Sequence, residues 1–322
     1  MNTDRIIEHD ARSTKHEEPL VSVCIGVYNR ERYIRECLDS VLAQTYSNRE
    51  IVVIDDASTD GSLEILKSYG AKIRLLTRSH NSGICPVTRN EAVRAARGEF
   101  IAFLDSDDAW CSDRKLEKQV DFLLRNPSIP LCHTYAEIMD EKSIPGGVRH
   151  EGVLPSTGPY FEALLHHCWI TISSVMIRRA VYDEVGPFNE RPPYGYLGED
   201  HEFFLRVAKR YDIGLVPEVL IAYRKSSEGI TAGNWRAKPE PVELYRAILR
   251  DRVVWKGTVP RRRMIRALTE ACCANAVFWR GHKRPERALW AAGQAIRVAP
   301  LDRQAWSEAL RSLGRVVWPA GV

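Results

Sequence analysis

The 322-residue chain lacks any apolar run near the roughly 18 residues that a membrane-spanning helix requires. Its opening stretch, Met1 to Glu18, is too polar and too acidic for a secretory signal. Together these absences predict a cytoplasmic protein. No CxxC pair occurs among the eight cysteines, and none is spaced with histidine as in a zinc site, so a zinc module and a disulfide scaffold are not expected. The thiols are read as reduced and mostly buried. No GxGxxG follows the first apolar run, which removes a dinucleotide-binding Rossmann site. With 44% hydrophobic and 27% charged residues, the composition is that of an ordinary folded protein, neither collagen-like nor disordered.

Net charge is only +4, yet it is unevenly placed. Residues 236–322 hold 18 Lys+Arg against 7 Asp+Glu, a net of +11, whereas residues 1–235 hold 28 against 35, a net of −7. A basic segment suits a phosphate-rich surface, and this one adds the run Arg261-Arg262-Arg263 and five tryptophans beyond residue 235. Peripheral contact with the inner face of a membrane is one reading. Packing on the rest of the chain or on a second copy is the other, and nucleic acid is not expected as a partner.

From Leu20 onward, short β-branched runs alternate with helical spacing. Leu20 to Val27 is followed by Tyr33, Ile34, Leu38, Val41 and Leu42 at helical intervals. Ile51 to Ile54, Ile73 to Leu76 and Phe100 to Leu104 repeat the pattern, each with a helix after it. Four such units predict a parallel sheet wrapped by helices. Right-handed crossovers then place the strand ends on one edge, where open sheets of this kind bind ligands. Further on, Leu131 to Ile138, Ser173 to Ile177 and Gly214 to Tyr223 read as strands, the last an edge strand because it contains Pro217. Ile144 to Gly147 reads as a turn and His201 to Arg210 as a helix. Beyond Pro241 the chain is helical, and Arg284 to Val298 with Leu301 to Val317 resembles a tetratricopeptide-like pair.

Asp55-Asp56 and Asp105-Ser106-Asp107-Asp108 each follow a strand directly, so both sets fall on that edge. Carboxylates this close repel unless a cation lies between them. An all-oxygen set suits Mg2+ or Mn2+, which retain water and take further ligands from phosphate. A metal-bound diphosphate is the expected guest. Strand-end aspartates also cap helices and form turns, as Asp60 and Asp113 are read to do. His133, His166 and His167 have no acid or cysteine at useful spacing and are read as structural.

With Pro19-Leu20-Val21-Ser22-Val23, Tyr28-Asn29, Leu38 to Thr45, Val53 to Gly61 and Phe103 to Asp108 in that order, residues 19–235 resemble a family 2 glycosyltransferase of the GT-A fold. Asn81-Ser82-Gly83, Arg89-Asn90, Gly186-Pro187-Phe188 and Gly198-Glu199-Asp200 fall where such enzymes carry similar residues. The resemblance implies an α/β catalytic domain over 19–235, built on a GT-A-type, Rossmann-like, mostly parallel sheet flanked by helices. A disordered leader (1–18) precedes it and a basic all-helical extension (236–322) follows. The implied reaction is an inverting, metal-assisted transfer of a single sugar in polysaccharide biosynthesis. The donor is a nucleotide-diphosphate sugar, UDP-linked in preference, and the acceptor a hydroxyl of a glycan or lipid-linked molecule.

By the same resemblance, Val27 and Tyr28 would line a pyrimidine pocket in which Asp56 reads a base edge, and Arg89 would approach the donor's phosphates or ribose. Asp107 and Asp108 would face ribose and a Mn2+ or Mg2+ ion, Asp105 would support them, and Asp200 would be the general base. Chemistry agrees with such a division. A divalent ion stabilises the charge that builds on a departing nucleoside diphosphate, while a carboxylate on the opposite face of the sugar takes the acceptor's proton.

No QxxRW-type motif follows Asp200, which disfavours a processive synthase. Tyr223-Arg224-Lys225-Ser226-Ser227 is placed like the family's closing loop but lacks its usual His, leaving Arg224 or Lys225 to neutralise phosphate. A haloacid-dehalogenase-type phosphatase would use Asp105 as nucleophile, yet Ala109 stands where that motif wants Thr or Val. An EF-hand fails at Trp110, where Gly is needed. A non-catalytic sugar-nucleotide-binding or helical interaction protein is disfavoured by the intact acids.

Overall fold

The computed structural model describes residues 18–149, 156–164, 168–191, 198–226 and 285–317, together with scattered helical positions between 262 and 277. Residues 1–17 of the leader, His166-His167 and the helix read at Val242 to Val254 lie outside the described residues. The first half alternates as expected: β1 (Val21–Val27), α1 (Ile34–Leu42), β2 (Arg49–Asp55), α2 (Ser62–Ser68), β3 (Arg74–Thr77), α3 (Cys85–Ala95), β4 (Phe100–Phe103) and α4 (Lys115–Arg125). Then come β5 (Leu131–Met139), β6 (Pro145–Val148), α5 (Phe161–Leu164), β7 (Met176–Arg178), α6 (Arg179–Val185), α7 (Glu199–Ala208) and β8 (Ile213–Arg224).

The sheet order is β3-β2-β1-β4-β7-β5-β6, with β8 paired to β5. Strands β1 to β4 are parallel, but β7 enters antiparallel between β4 and β5, so the sheet is mixed. β1 is central and buried along its length, which is why its sequence is a continuous apolar run and does not alternate. Helix α1 buries Ile34, Cys37, Leu38 and Val41, the i, i+3, i+4, i+7 stripe of an amphipathic helix. It shares one face of the sheet with Leu116, Val120 and Leu123 of α4. The other face is covered by α3, α6 and α7, with Phe188, Phe203 and Phe204 fully buried among them.

Three local readings change, the first being the strand read at Ser173 to Ile177, which begins only at Met176 because Ile172–Ser174 form a 3-10 turn. The turn expected at Ile144 to Gly147 lies earlier, because the Asp140 side chain accepts hydrogen bonds from the amides of Lys142 and Ile144 and folds the chain there. Pro145–Val148 then forms a short strand on β5. Pro217 does lie in a strand, at a break of register where Thr134 pairs with Val216 but Tyr135 with Val219, so its missing N–H falls in a bulge.

Gly98, just before β4, has no room for a side chain: a Cβ there would lie 2.6 Å from the amide nitrogen of Ser22 and 2.7 Å from the carbonyl of Leu20. Both are backbone atoms of the segment entering β1 and cannot rotate aside. Gly98→Ala is therefore expected to cost about 1–3 kcal/mol, seen as a lower midpoint in thermal denaturation. An unchanged midpoint would mean that the β1–β4 edge yields easily.

Beyond the sheet, α8 (Pro285–Val298) and α9 (Arg303–Val317) occupy the positions read for the helix pair. Ala291, Ala292 and Ala295 of α8 and Ala305 and Ala309 of α9 are buried together with Cys272, Cys273 and Ala276. Small side chains let three helical segments meet closely, so the pair does not stand alone.

Candidate active site

Strands β1, β2 and β4 run parallel, so their C-terminal ends share an edge, and the register pairs Val27 with Asp55. The carbonyl of Val27 accepts the amide of Asp56 at 2.8 Å, joining the loop after β1 to the loop after β2. Asn29 and Ala57 both have positive φ, 51° and 59°, an uncommon backbone state that clusters at functional sites. Asn29 reinforces the joint, donating its amide to Ser58 Oγ and accepting from the Thr59 amide. Val27 itself is core, whereas Tyr28 is 41% exposed.

Asp56 is buried, and its carboxylate is fully engaged. It accepts from the amide and hydroxyl of Ser82 and from Asn81 Nδ2, and Arg78 Nε lies 2.9 Å away. The sequence placed Asn81-Ser82-Gly83 near the site without showing that these residues hold Asp56.

The acid loop after β4 divides its three carboxylates. Asp105 and Asp107 keep 34% and 20% of their side chains exposed. Asp108 is turned inward at 2% exposure, with Oδ2 accepting Ser173 Oγ at 2.6 Å and Oδ1 accepting the Arg224 amide at 2.8 Å. Burial, then the charges of Asp107 and Asp105, hold its carboxyl well above the usual carboxylate range. Burial and Asp105 also raise that of Asp107, which Arg30, 3.5 Å away, pulls back down. The order expected among the three acids therefore changes: Asp107 and Asp105 face outward, and Asp108 braces the loop.

Arg224 is likewise a brace. Its guanidinium bonds the carbonyls of Asp107 and Asp140, Ser143 Oγ and Glu36, and stacks over Tyr33. Among the described residues of that segment, Lys225 is the one left exposed to meet phosphate. Sequence reasoning missed Arg30, Glu36 and Ser173; the Tyr28-Asn29-Arg30 order was the one signal for the first.

Arg89 is buried at 7% exposure and bridges two acids, NH2 to Asp105 Oδ1 at 2.7 Å and NH1 to Glu199 Oε1 at 2.5 Å. Its guanidinium is thus paired on both arms inside the protein. Helix α7 begins at Glu199 after Gly198, whose φ is +87°. Asp200 is half-buried in the first turn and accepts the His201 amide. Burial pushes the Glu199 carboxyl up to about 7, with Arg89 lowering it and Asp200 raising it.

His133 is buried against Tyr160, and burial lowers it to about 4, in keeping with a structural role. A cavity of about 440 Å3 between α1 and the β5–β6 hairpin, lined by Glu36, Asp39, Trp110 and Glu137 among others, contains none of the expected site residues.

No three His, Cys, Asp or Glu side chains among the described residues are grouped as a ready metal cage. A divalent ion that keeps its water and binds phosphate oxygens needs only one or two protein carboxylates, so the open pair Asp105 and Asp107 fits such an ion.

The model of the family described as "Glycosyl transferase family 2" matches residues 22–186. An uncharacterized glycosyltransferase of Rickettsia felis is 35% identical over 221 residues, 65% of this chain, which spans only 35% of that relative. The UDP-Glc:alpha-D-GlcNAc-diphosphoundecaprenol beta-1,3-glucosyltransferase WfgD of Escherichia coli is 34% identical over 223 residues, 68% of this chain and 83% of WfgD. Among solved structures, residues 1–349 of S. aureus TarS in complex with UDP-GlcNAc superpose with a TM-score of 0.61 at 22% identity, covering 91% of this chain and 88% of that one. The mannosyltransferase PcManGT of Pyrobaculum calidifontis, in complex with GDP-Man and Mn2+, gives 0.55 at 19% identity, with 95% and 89% covered. These likenesses establish the GT-A-type fold.

Proposed function

Because the chain belongs to glycosyl transferase family 2, we propose that it transfers one sugar, with inversion, from a UDP-sugar to a hydroxyl of a glycan or lipid-linked acceptor. One observation carries this reading: two part-open acids, Asp105 and Asp107, end β4, and a buried arginine ties that end to the helix whose first turn holds Asp200. Tyr28 and the loop bearing Asp56 offer a surface for the base. Asp107, with Asp105 beside it, would hold a Mn2+ or Mg2+ ion, which when bound stabilises charge on the leaving diphosphate. Asp200 takes the acceptor's proton, and attack from the face opposite the leaving group inverts the anomeric carbon. UDP is favoured because WfgD, by its name, uses UDP-Glc and a diphosphoundecaprenol acceptor.

Hydrolysis of UDP-, GDP- and dTDP-sugars with Mn2+ tests the donor. UDP-sugars are expected to be consumed fastest, and a protein inert toward every donor would overturn the transferase reading in favour of a binding module.

A lipid-linked acceptor also gives the helical extension a role. No described helix is long and apolar enough to cross a membrane. Trp290, Trp306 and Leu310 are nevertheless exposed on α8 and α9, in a segment of net charge +11. We propose peripheral contact with anionic lipid through these helices. Co-sedimentation with phosphatidylglycerol vesicles is expected to fall steeply as salt shortens the Debye length from about 10 Å toward 3 Å. Absent binding would leave the extension as a packing element only.

A further inference from the structure

We propose that Arg89 is a positioning residue that fixes the base-bearing end of α7 against the acid loop after β4, and is not a donor-binding cation. The proposal rests on the transferase reading for the role of Asp200, while its geometry stands by itself.

Helix α7 needs such a hold. It starts from Gly198 in the left-handed region, a residue with no side chain to cap the first turn, where among the described residues Asp200 accepts the His201 amide. A glycine cap forgoes roughly a few tenths of a kcal/mol relative to a side-chain cap. The Arg89–Glu199 pair enters that turn from α3, 110 residues away in sequence. The other arm of the same guanidinium reaches Asp105, so one planar group spans both sides of the proposed site.

The base of this strut is rigid. Helix α3 lies so close to β1 that a Cβ on Gly26 would come 2.3 Å from Thr88 Oγ1, one residue before Arg89. The residue after it, Asn90, is 1% exposed and fully bonded: its amide donates to the Phe188 carbonyl and Glu190, and its oxygen accepts from Tyr182 OH and the Phe188 amide. Arg89 and Asn90 thus tie both the turn after α6 and the start of α7 to a helix packed on the central strand. With one carboxylate on each arm, the guanidinium is already paired and has little charge to offer a diphosphate. Lysine keeps the charge but cannot make two parallel contacts to separate acids.

The test combines Arg89→Lys and Glu199→Gln, each measured for acceptor turnover, UDP affinity by calorimetry, and amide hydrogen exchange of α7. Arg89→Lys is expected to lower kcat on the order of 10–100-fold, to leave the UDP Kd within about threefold, and to speed exchange in the first turn of α7. Glu199→Gln keeps an acceptor for one arm but removes its charge, leaves Arg89 paired with Asp105, and is expected to do the same more mildly. The double variant should fall no further than Arg89→Lys alone, because both act through one contact. Tenfold or greater loss of UDP affinity with kcat retained would show donor binding instead. Unaltered α7 exchange in Arg89→Lys would overturn the proposal even if the protein transfers no sugar, whereas failure of the transferase reading would appear in the parent as absent turnover with α7 exchange still dependent on Arg89.

Discussion

Asp200→Asn is expected to bind UDP-sugar as the parent does and to lose transfer by on the order of 10²–10⁴-fold. The substitution keeps size and an acceptor oxygen but removes the negative charge that makes the carboxylate basic enough to take the acceptor's proton. Asp200 sits in the first turn of α7 and is only half-buried. Glu199, its neighbour, points the other way, onto Arg89. A carboxylate already paired with a guanidinium and enclosed by protein is poorly placed to meet an incoming hydroxyl. Glu199→Gln should therefore be the milder variant. Turnover with a true acceptor, beside calorimetry with the donor, checks both. Full activity in Asp200→Asn, or a dead Glu199→Gln with an active Asp200→Asn, would move the base to Glu199.

How far the sequence discloses this site depends on how local each feature is. Strands β1 to β4 and their helices follow from apolar periodicity within single segments, and Asp55-Asp56 and Asp105 to Asp108 are recognisable because they end apolar runs. The antiparallel entry of β7 between β4 and β5 is not local. It is a pairing of Ile101 with Ile177, and nothing in either segment names the other. The braces are hidden for the same reason. Arg224 reaches Asp107 across 117 residues, and Ser173 reaches Asp108 across 65. Arg89 illustrates the limit: its type and motif suggest phosphate, but only the fold brings acids to both of its arms. Nor can spacing rank Asp107 against Asp108, since adjacent residues in a tight loop face different ways.

That last ambiguity yields the other large effect. On the proposed metal role, Asp107→Asn is expected to leave the fold intact and to abolish any gain in UDP affinity on adding Mn2+, because it removes an open carboxylate that would hold the ion. From the sequence alone, the same loss would be assigned to Asp108→Asn. The structure gives Asp108 a different task, accepting from Ser173 Oγ and the Arg224 amide inside the protein. An asparagine there turns an NH2 group toward one of these donors and leaves that donor unsatisfied. The cost is about 2 kcal/mol, a fall in melting midpoint on the order of 5 °C. Ser173 also accepts the Asp105 amide, so the disturbance spreads to the outward acids and weakens the metal response as a consequence of a loosened loop. Calorimetry of UDP with and without Mn2+, paired with thermal denaturation, separates the two variants. Asp107→Asn should lose the metal effect at an unchanged midpoint, and Asp108→Asn should lose stability first. A metal response lost in Asp108→Asn at full stability and kept in Asp107→Asn would return Asp108 to the ion and make Asp107 the brace.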